Sequence, residues 1–575
     1  MESAKRRIRI GILGGGPSGL FVFKRLVESG HQNLEISLFE KKDQLGSGMP
    51  YSYEGANQEH ITNVSGHEIP EIVSSMKEWI RTAPAEVLKP FDMAAEKFND
   101  YKVVPRLLFG EYLEDQFKLL LKQAKEQGIV THLYLNSVVT DLADERGLNE
   151  VRVITEQDDY SFDHVVMTTG HYWPTNDEGL VPNYFDSPYP PAKLKLDVNF
   201  PVAIKGASLT AIDAIRTLAR QNGTFTKEDG GQVSYRLNED SSEFRLVMHS
   251  IDGMLPAIRF HLEDTHLISK SVLDEEEIKA SMEANDGFVP LDFLFERNFK
   301  DAIREQDPEF YEMIKDLAIE DFVEKMMSLR ERVDPFLLFR AEFVEAEKSI
   351  RKRESIYWKE ALAELSFTLN YPAKYLSAED MMRLKKTLMP LISIVIAFVP
   401  QSSCLELLAL YEAGVLSLVS VDKDSKVIPR EEGGVLYKYT QPDGGQQATS
   451  YNMFVDCTGQ PHFMYEEFPF KSLLQSGSLS PASIKFRSNE VGAKTMAEND
   501  QVEKDTNGDY FLRVPGIKIN DHFQVLDKNG VYSERIYVMA VPHIGGFNPD
   551  YSGLDFCEAA SEKVVSHLST LSSLK

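Results

Sequence analysis

Cysteine is scarce. The 575-residue chain holds only Cys404, Cys457 and Cys557, far apart and with no C-x-x-C pair. That excludes a thiolate zinc site and a redox-active cysteine pair of the disulfide-reductase kind. So few thiols without a staple pattern suit a reducing compartment, and a cytoplasmic protein is expected. Long apolar runs are missing too. The most apolar stretch, Leu391 to Val399, sits between Pro390 and Pro400 and is too short to span a bilayer. Lys5-Arg6-Arg7 precedes an apolar run that glycines interrupt at once, so this start reads as a first strand and not as a signal peptide. No integral membrane segment is expected. Positive charge is in deficit, with 62 Lys and Arg against 89 Asp and Glu and a net charge of −27. Such a field repels nucleic acid and anionic lipid, so no nucleic-acid partner is expected, and acidity serves solubility. No metal site, catalytic triad or carboxylate pair is evident.

Glycine, by contrast, stands where a nucleotide would need it. Gly14, Gly16 and Gly19 match G-x-G-x-x-G between the apolar run Ile8 to Leu13 and a helical pattern through Leu20, Val22, Phe23, Leu26 and Val27. The first glycine permits a tight bend, the second lets backbone approach a pyrophosphate, and the third lets helix and strand pack closely. Pro17 and Ser18 complete the turn, and the N–H groups of the helix start face the phosphates. Leu34 to Phe39 predicts a second strand ending in Glu40, about 20 residues past the last glycine, where a carboxylate receives the hydroxyls of an adenosine ribose.

A second turn follows the predicted strand Pro201 to Lys205: Gly206, Ala207, Ser208, Leu209, Thr210 and Ala211, then a helix to Arg220. Ala is tolerated at the third glycine position, whereas Ser208 brings a side chain toward the phosphates. The polar loop Asn222 to Glu243 delays the next strand, Phe244 to Met248, so spacing does not fix the ribose-reading residue. His249, Ser250, Asp252 and Arg259 are candidates, and no arginine cluster chooses between NADH and NADPH.

An architectural repeat accompanies the paired turns. Val151 to Thr155 and Phe162 to Thr168 read as a hairpin ending in Thr169-Gly170. Val435 to Tyr439 and Met453 to Cys457 repeat it, ending in Thr458-Gly459, and each copy reads as a small meander leading back into the last parallel strand of a nucleotide-binding domain. Pro174 to Pro201 is the linker candidate. From Leu262 to Gly414 the pattern turns to charged helical segments, Asp274 to Ala284, Glu309 to Arg330 and Phe336 to Leu369. They are read as an insertion within the second unit, either a cap facing the substrate or a structural or dimerising element. The expected fold is α/β, with two Rossmann-like dinucleotide-binding domains and a helical insertion. Residues 1–200 and 460–575 would form a discontinuous FAD domain, 201–265 and 415–459 the NAD(P) domain, and 266–414 the insertion.

With these motifs the chain resembles the FAD/NAD(P)-binding proteins related to the class B flavoprotein monooxygenases and the N-hydroxylating monooxygenases that act on amines. The likeness rests on Gly14 to Gly19 with Glu40, on Gly206 to Ala211 with Asp213 following, and on the two Thr-Gly strand ends. Asp163 to Pro174 is similar to the Asp-x3-Leu/Phe-Ala-Thr-Gly-Tyr element of the N-hydroxylases, with Thr168 in place of alanine and His171 in place of tyrosine. Val104 to Leu113 is similar to the segment beside the flavin. No Phe-x-Gly-x3-His-x3-Trp segment lies between the turns, so Baeyer–Villiger chemistry is not implied.

The resemblance implies FAD held by Gly14, Gly16, Pro17, Ser18, Gly19, Glu40, Asn63, Arg106, Thr169, Gly170, Gly546 and Asn548. It implies NADH or NADPH held by Gly206, Ser208, Leu209 and Thr210. Gly46 to Tyr51 and His60 to Val64 would approach the isoalloxazine, Val538 to Pro549 would close over it, and a helix from about Leu554 would donate N–H groups to the flavin carbonyl edge. Some roles stay open. Arg106 is a pyrophosphate partner or a surface helix charge. Asn63 is a turn residue or an oxygen-activating group, and His543 is a backbone-satisfied loop histidine or a proton-transfer group. Trp173 and Pro174 are a wall against the cofactor or a linker contact.

The implied function is an FAD-dependent NAD(P)H oxidoreductase, a monooxygenase acting through a flavin hydroperoxide on a small polar or amine-bearing substrate. In that chemistry the protein orients cofactors and excludes water, so no catalytic side chain is singled out. Two alternatives stand beside it: a flavin reductase or dehydrogenase without oxygen transfer, and a flavin-binding interaction protein with negligible turnover.

Overall fold

A computed structural model describes residues 6–251, 253–263, 273–549 and 553–571. Strand β1 (Ile8–Leu13), helix α1 (Pro17–Glu28) and strand β2 (Leu34–Phe39) open the chain. Both strands are almost wholly buried, as expected of parallel strands covered on two faces. They lie at the heart of a six-stranded sheet ordered Gln524–Leu526, Tyr532–Val538, His164–Met167, β1, β2, Val130–Tyr134. All neighbours are parallel except the outermost Gln524–Leu526. A second sheet of five parallel strands runs Tyr184–Phe185, Met453–Asp456, Pro201–Lys205, Arg245–Ile251, Leu416–Val421. Its glycine turn leads into the helix Leu209–Asn222.

Three-stranded meanders precede the returning strand in both units, Val139–Glu145, Glu150–Thr155 and Asp159–Phe162 in the first, Lys426–Pro429, Val435–Thr440 and Gln446–Tyr451 in the second. The hairpins expected from sequence are therefore divided. Phe162 ends the first meander and His164 begins the main-sheet strand, because the chain turns at Asp163 to pair with β1. Tyr451 and Met453 part at Asn452 in the same way.

The helical middle corrects another expectation. Glu309 to Arg330 divides into Pro308–Ile314 and Ile319–Arg332. Phe336 to Leu369 divides into Pro335–Lys352 and Tyr357–Leu369, with Arg353 left-handed at φ 55° between them. The first expected segment appears as Glu275–Ala284, capped by the Asp274 carboxylate on the Glu277 N–H. Although inserted between two strands of the second unit, most of the middle shares the hydrophobic core of the first. Phe299, Phe322, Leu365 and Leu391 belong to one buried cluster with Ile10, Leu38 and Val166. The helices Pro335–Lys352 and Gln401–Glu412 turn to the second unit, the first through Phe336, Phe339 and Ala346, the second through Cys404, Leu407 and Leu410. Lys374 and Tyr375 add polar ties, reaching Asp521 at 2.5 and 2.7 Å. Among the described residues no helix is long and apolar enough to cross a membrane.

Candidate functional site

The first turn is crowded at the first and third glycines of the motif. Gly14 adopts φ 112°, and a Cβ there would lie 2.8 Å from the Thr168 carbonyl oxygen. A Cβ on Gly19 would lie 2.0 Å from the Gly14 oxygen, so even alanine is excluded. At Gly16 it would meet only the Gly48 backbone, the nearer atom at 3.2 Å, leaving a shallow cradle before α1. That helix starts at Pro17 with no side-chain cap and no acidic residue in its first turn. In so acidic a chain, an uncapped and uncountered helix start, with Ser18 and Gly19 next to be bonded, fits an anion. The Glu40 carboxylate beside it accepts the N–H groups of Gly15 at 2.8 Å and Lys42 at 3.1 Å. This fixes its direction and leaves lone pairs for ribose hydroxyls.

The second turn follows the first through its first three residues. Gly206 has φ 111°, with a would-be Cβ 2.8 Å from the Cys457 oxygen, where Gly14 meets Thr168. The Gly206 N–H donates to His249 O at 2.8 Å, as Gly14 donates to Phe39 O at 2.9 Å. Ser208 occupies the place of Gly16 with nearly the same torsions, φ −93° and ψ −164° against −76° and −165°. Its side chain is exposed and caps nothing, so the helix start through Leu209 and Thr210 is uncapped here too, again without an acid in the first turn. The register identifies what spacing left open. His249 stands opposite Lys205 as Phe39 stands opposite Leu13, so Ser250 holds the position of Glu40. The His249 ring turns away and stacks on Tyr437 at 4.1 Å. Asp252 lies outside the described residues.

Other expected site residues have different surroundings. Arg106 is committed to Asp213 of the second unit at 2.6 Å and to Ile61 O at 3.1 Å. It is a contact between units rather than a surface helix charge. Arg259, a candidate for the ribose, is buried against Glu68, Ser65 and the Asn63 carbonyl. Asn63 belongs to the strand Ile61–Ser65 rather than to a turn. Gly546 is a packing point: its N–H donates to Pro515 O at 2.7 Å, and a Cβ there would lie 2.3 Å from the Val514 side chain. Asn548 is buried, with its N–H on Ile544 O at 3.0 Å. It lines a cleft with Asn370, Tyr371, Lys374, Asp521 and Phe556. Thr169 is half-buried, and Gly170 is exposed with open space about it. The chain leaving them is clasped to the chain returning from the second unit. Gln460 pairs with both backbone groups of Tyr172 at 2.7 and 2.6 Å, and the Trp173 indole donates to Gly459 O at 3.0 Å, which makes Trp173 a linker contact. His543 is buried between Phe463 and Phe468 at 5.4 and 5.1 Å, and burial pushes its imidazole down to about 4. All three thiols are buried. Burial pushes that of Cys557 up to about 12 and raises those of Cys404 and Cys457.

Residues 11–172 match the FAD-NAD(P)-binding family model, and residues 274–396 match that of the YdhS-like middle domain. YdhS of Escherichia coli (strain K12) is 29% identical over 474 residues, 81% of this chain and 85% of that protein. Solved structures of similar overall arrangement include L-lysine 6-monooxygenase from Pseudomonas syringae, at 12% identity and a TM-score of 0.45, covering 97% of this chain and 98% of that one. Bacillithiol disulfide reductase Bdr from Staphylococcus aureus is similar at 10% identity and a TM-score of 0.43, covering 98% of each chain.

Proposed function

We propose that this chain is a flavin-dependent FAD/NAD(P)-binding oxidoreductase, a monooxygenase that spends NAD(P)H on a small polar or amine-bearing substrate. FAD would lie on the first turn, with its pyrophosphate at the start of α1 and its ribose on Glu40. The nicotinamide dinucleotide would lie on the turn Gly206 to Ala211. Bound there, the flavin supplies two-electron reduction by the nicotinamide and reaction with oxygen.

The observation that carries this reading is the pair of matching helix starts, each uncapped and each behind a strained glycine, in a chain whose every thiol is buried and poorly ionised. Two nucleotides can be held, yet a dithiol relay has no reactive thiolate to use. That favours oxygen over a disulfide as the electron acceptor. The motif Asp163 to Pro174 and its likeness to the N-hydroxylases favour an amine. The buried thiols also suit a cytoplasmic setting.

The chain's own residues bind, orient and exclude water. The Ile61–Ser65 strand, the loop through Phe547 and the start of the helix Leu554–Thr570 would enclose the flavin ring. The test is product analysis with a panel of primary amines and amino acids under NADPH and NADH. The expected result is an N-oxygenated product formed in step with nicotinamide consumption. Peroxide alone, with every amine tried, would replace the monooxygenase by a flavin reductase.

A further inference from the structure

The strand Ile61–Ser65 of the flavin unit is gripped by two arginines from opposite sides of the unit boundary. Arg106, at the start of the flavin-unit helix Arg106–Glu126, donates Nε to Ile61 O at 3.1 Å and reaches across with Nη1 to Asp213 of the second unit at 2.6 Å. Arg259, from the segment after Arg245–Ile251 in the second unit, reaches the other way. It donates to Asn63 O, to Ser65 Oγ at 3.1 Å and to the Glu68 carboxylate. The two carbonyls are two residues apart and so point to one edge of the strand. Each unit thus sends one arginine onto the other unit's carboxylate, and both touch the same strand.

The seam is largely buried and the donors named here are matched. Arg106 and Asp213 side chains are 15% and 6% exposed, those of Arg259 and Glu68 4% and 8%. The Tyr189 hydroxyl donates to Asp213 at 3.0 Å. His60 Nδ1 accepts the Asn57 N–H at 3.0 Å, so Nε2 carries the proton and donates to Asp213 O at 3.2 Å. Burial, the largest single influence, would raise the Asp213 carboxyl, but Arg106 together with His60 and the Tyr189 hydroxyl holds the group below the usual carboxylate range. Removing one partner would strand a buried charge, a far heavier loss than breaking a surface pair.

Asp213 lies on the helix that begins at the second nucleotide turn. Ile61–Ser65 is the strand read as approaching the flavin ring. Units joined by two linkers ordinarily shift against each other unless their interface forbids it. We propose that Arg106 and Arg259 are positioning residues that fix the two nucleotide-binding units in one arrangement, so that a nicotinamide on the second turn meets the flavin strand without rotation of the units. This rests on the reading of Gly206 to Ala211 as the nicotinamide site.

The first test measures distance in the full FAD-loaded chain. Val138, 42% exposed on the flavin unit, and Thr224, exposed on the second, are replaced as Val138→Cys and Thr224→Cys and spin-labelled. The native thiols are buried and escape the label. The expected result is one narrow distance distribution, unchanged by NADPH or NADH. A second population, or a shift on adding either nicotinamide, would overturn the proposal. The second test is anaerobic bleaching of the flavin. Arg106→Ala and Arg259→Ala are expected to slow bleaching by NAD(P)H by about 10-fold or more while dithionite bleaches them at the wild-type rate, and Arg106→Lys is expected to recover part of the loss. Unchanged bleaching by nicotinamide in both alanine variants would overturn the positioning role. Should those variants fail to hold FAD, Tyr189→Phe, which removes one donor to Asp213, is expected to move the same rate in the same direction, and an unchanged rate there would also overturn it. A single fixed distance in a protein that neither nicotinamide bleaches would support the fixed arrangement and sink the oxidoreductase reading instead.

Discussion

The two glycine turns begin on the same backbone course and part at the third glycine position and at the next strand. In the first, Gly19 leaves no room for a methyl group, and a carboxylate from the next strand locks onto the turn. In the second, Ala211 is fully buried at the corresponding place, and Ser250 takes the position of Glu40, its hydroxyl turned to the end of its own strand at 3.2 Å from Ile251 O. The first turn is therefore shaped by steric exclusion and by charge, whereas the second retains only the left-handed glycine, Gly206, and the uncapped helix start. A dinucleotide held for the life of the protein suits the former, and one that must come and go suits the latter.

The comparison is broken most severely at the third glycine position. Gly19→Ala places a Cβ against the Gly14 carbonyl and is expected to yield a colourless protein, with FAD affinity down by about 100-fold or more and a stability loss of several kcal/mol. Ala211→Gly in the second turn is expected to change nicotinamide affinity by no more than about 3-fold and to cost about 1 kcal/mol of stability. Flavin retention, nicotinamide titration and thermal melting of both variants decide between unequal and equal turns. Next in size is Glu40→Gln. Two backbone N–H groups lose a charged acceptor, worth about 1.5 to 3 kcal/mol, so FAD is expected to dissociate about 10- to 100-fold more readily, measured by flavin fluorescence on dilution.

Ser250→Glu sharpens the comparison by making the second turn resemble the first. A carboxylate there would accept a ribose hydroxyl and repel a 2′-phosphate, so the ratio of NADPH to NADH affinity is expected to fall by about 10-fold. An unchanged ratio would show that Ser250 does not face the ribose. A last prediction concerns the core and leaves both sites untouched. His543 has its folded value depressed to about 4 by burial, so the unfolded chain takes up the proton first as pH falls below its ordinary value of about 6.5. Its contribution is complete above that pH and declines toward pH 4 by up to about 1.4 kcal/mol per unit. His543→Phe, which keeps a ring between Phe463 and Phe468, is expected to make the fall of Tm between pH 6.5 and 4 shallower by one proton. An unaltered slope would mean that His543 is protonated in the fold.

The parallel sheets, both turns and the repeated Thr-Gly strand ends were legible in the sequence, because each depends on local rules: apolar runs of strand length, glycine where φ must be positive, a helix pattern directly after. Glu40 was legible for the same reason, since a short helix and a short loop fix its distance from Gly19. Ser250 was not, because the hairpin of Gly223–Lys227 and Val233–Leu237 lies between turn and strand, and only the register with Lys205 identifies its place. The partners of Arg106 and Arg259 were equally hidden. They are set by how two units meet, across 107 and 191 residues of chain, and nothing in the local pattern around Asp213 or Glu68 marks them as facing an arginine. The middle was recognisable as helical, although two of its three expected segments each divide into two helices, and the attachment of most of it to the first core instead of the second follows from packing that crosses the whole chain.

The central claim, that one chain holds a flavin on the first turn and admits a nicotinamide on the second, is tested most directly by the anaerobic visible spectrum of the purified full-length protein. The account predicts a yellow protein that releases FAD on denaturation and bleaches on addition of NADPH or NADH. A colourless protein that refuses added FAD, or a bound flavin that neither nicotinamide reduces, would contradict it.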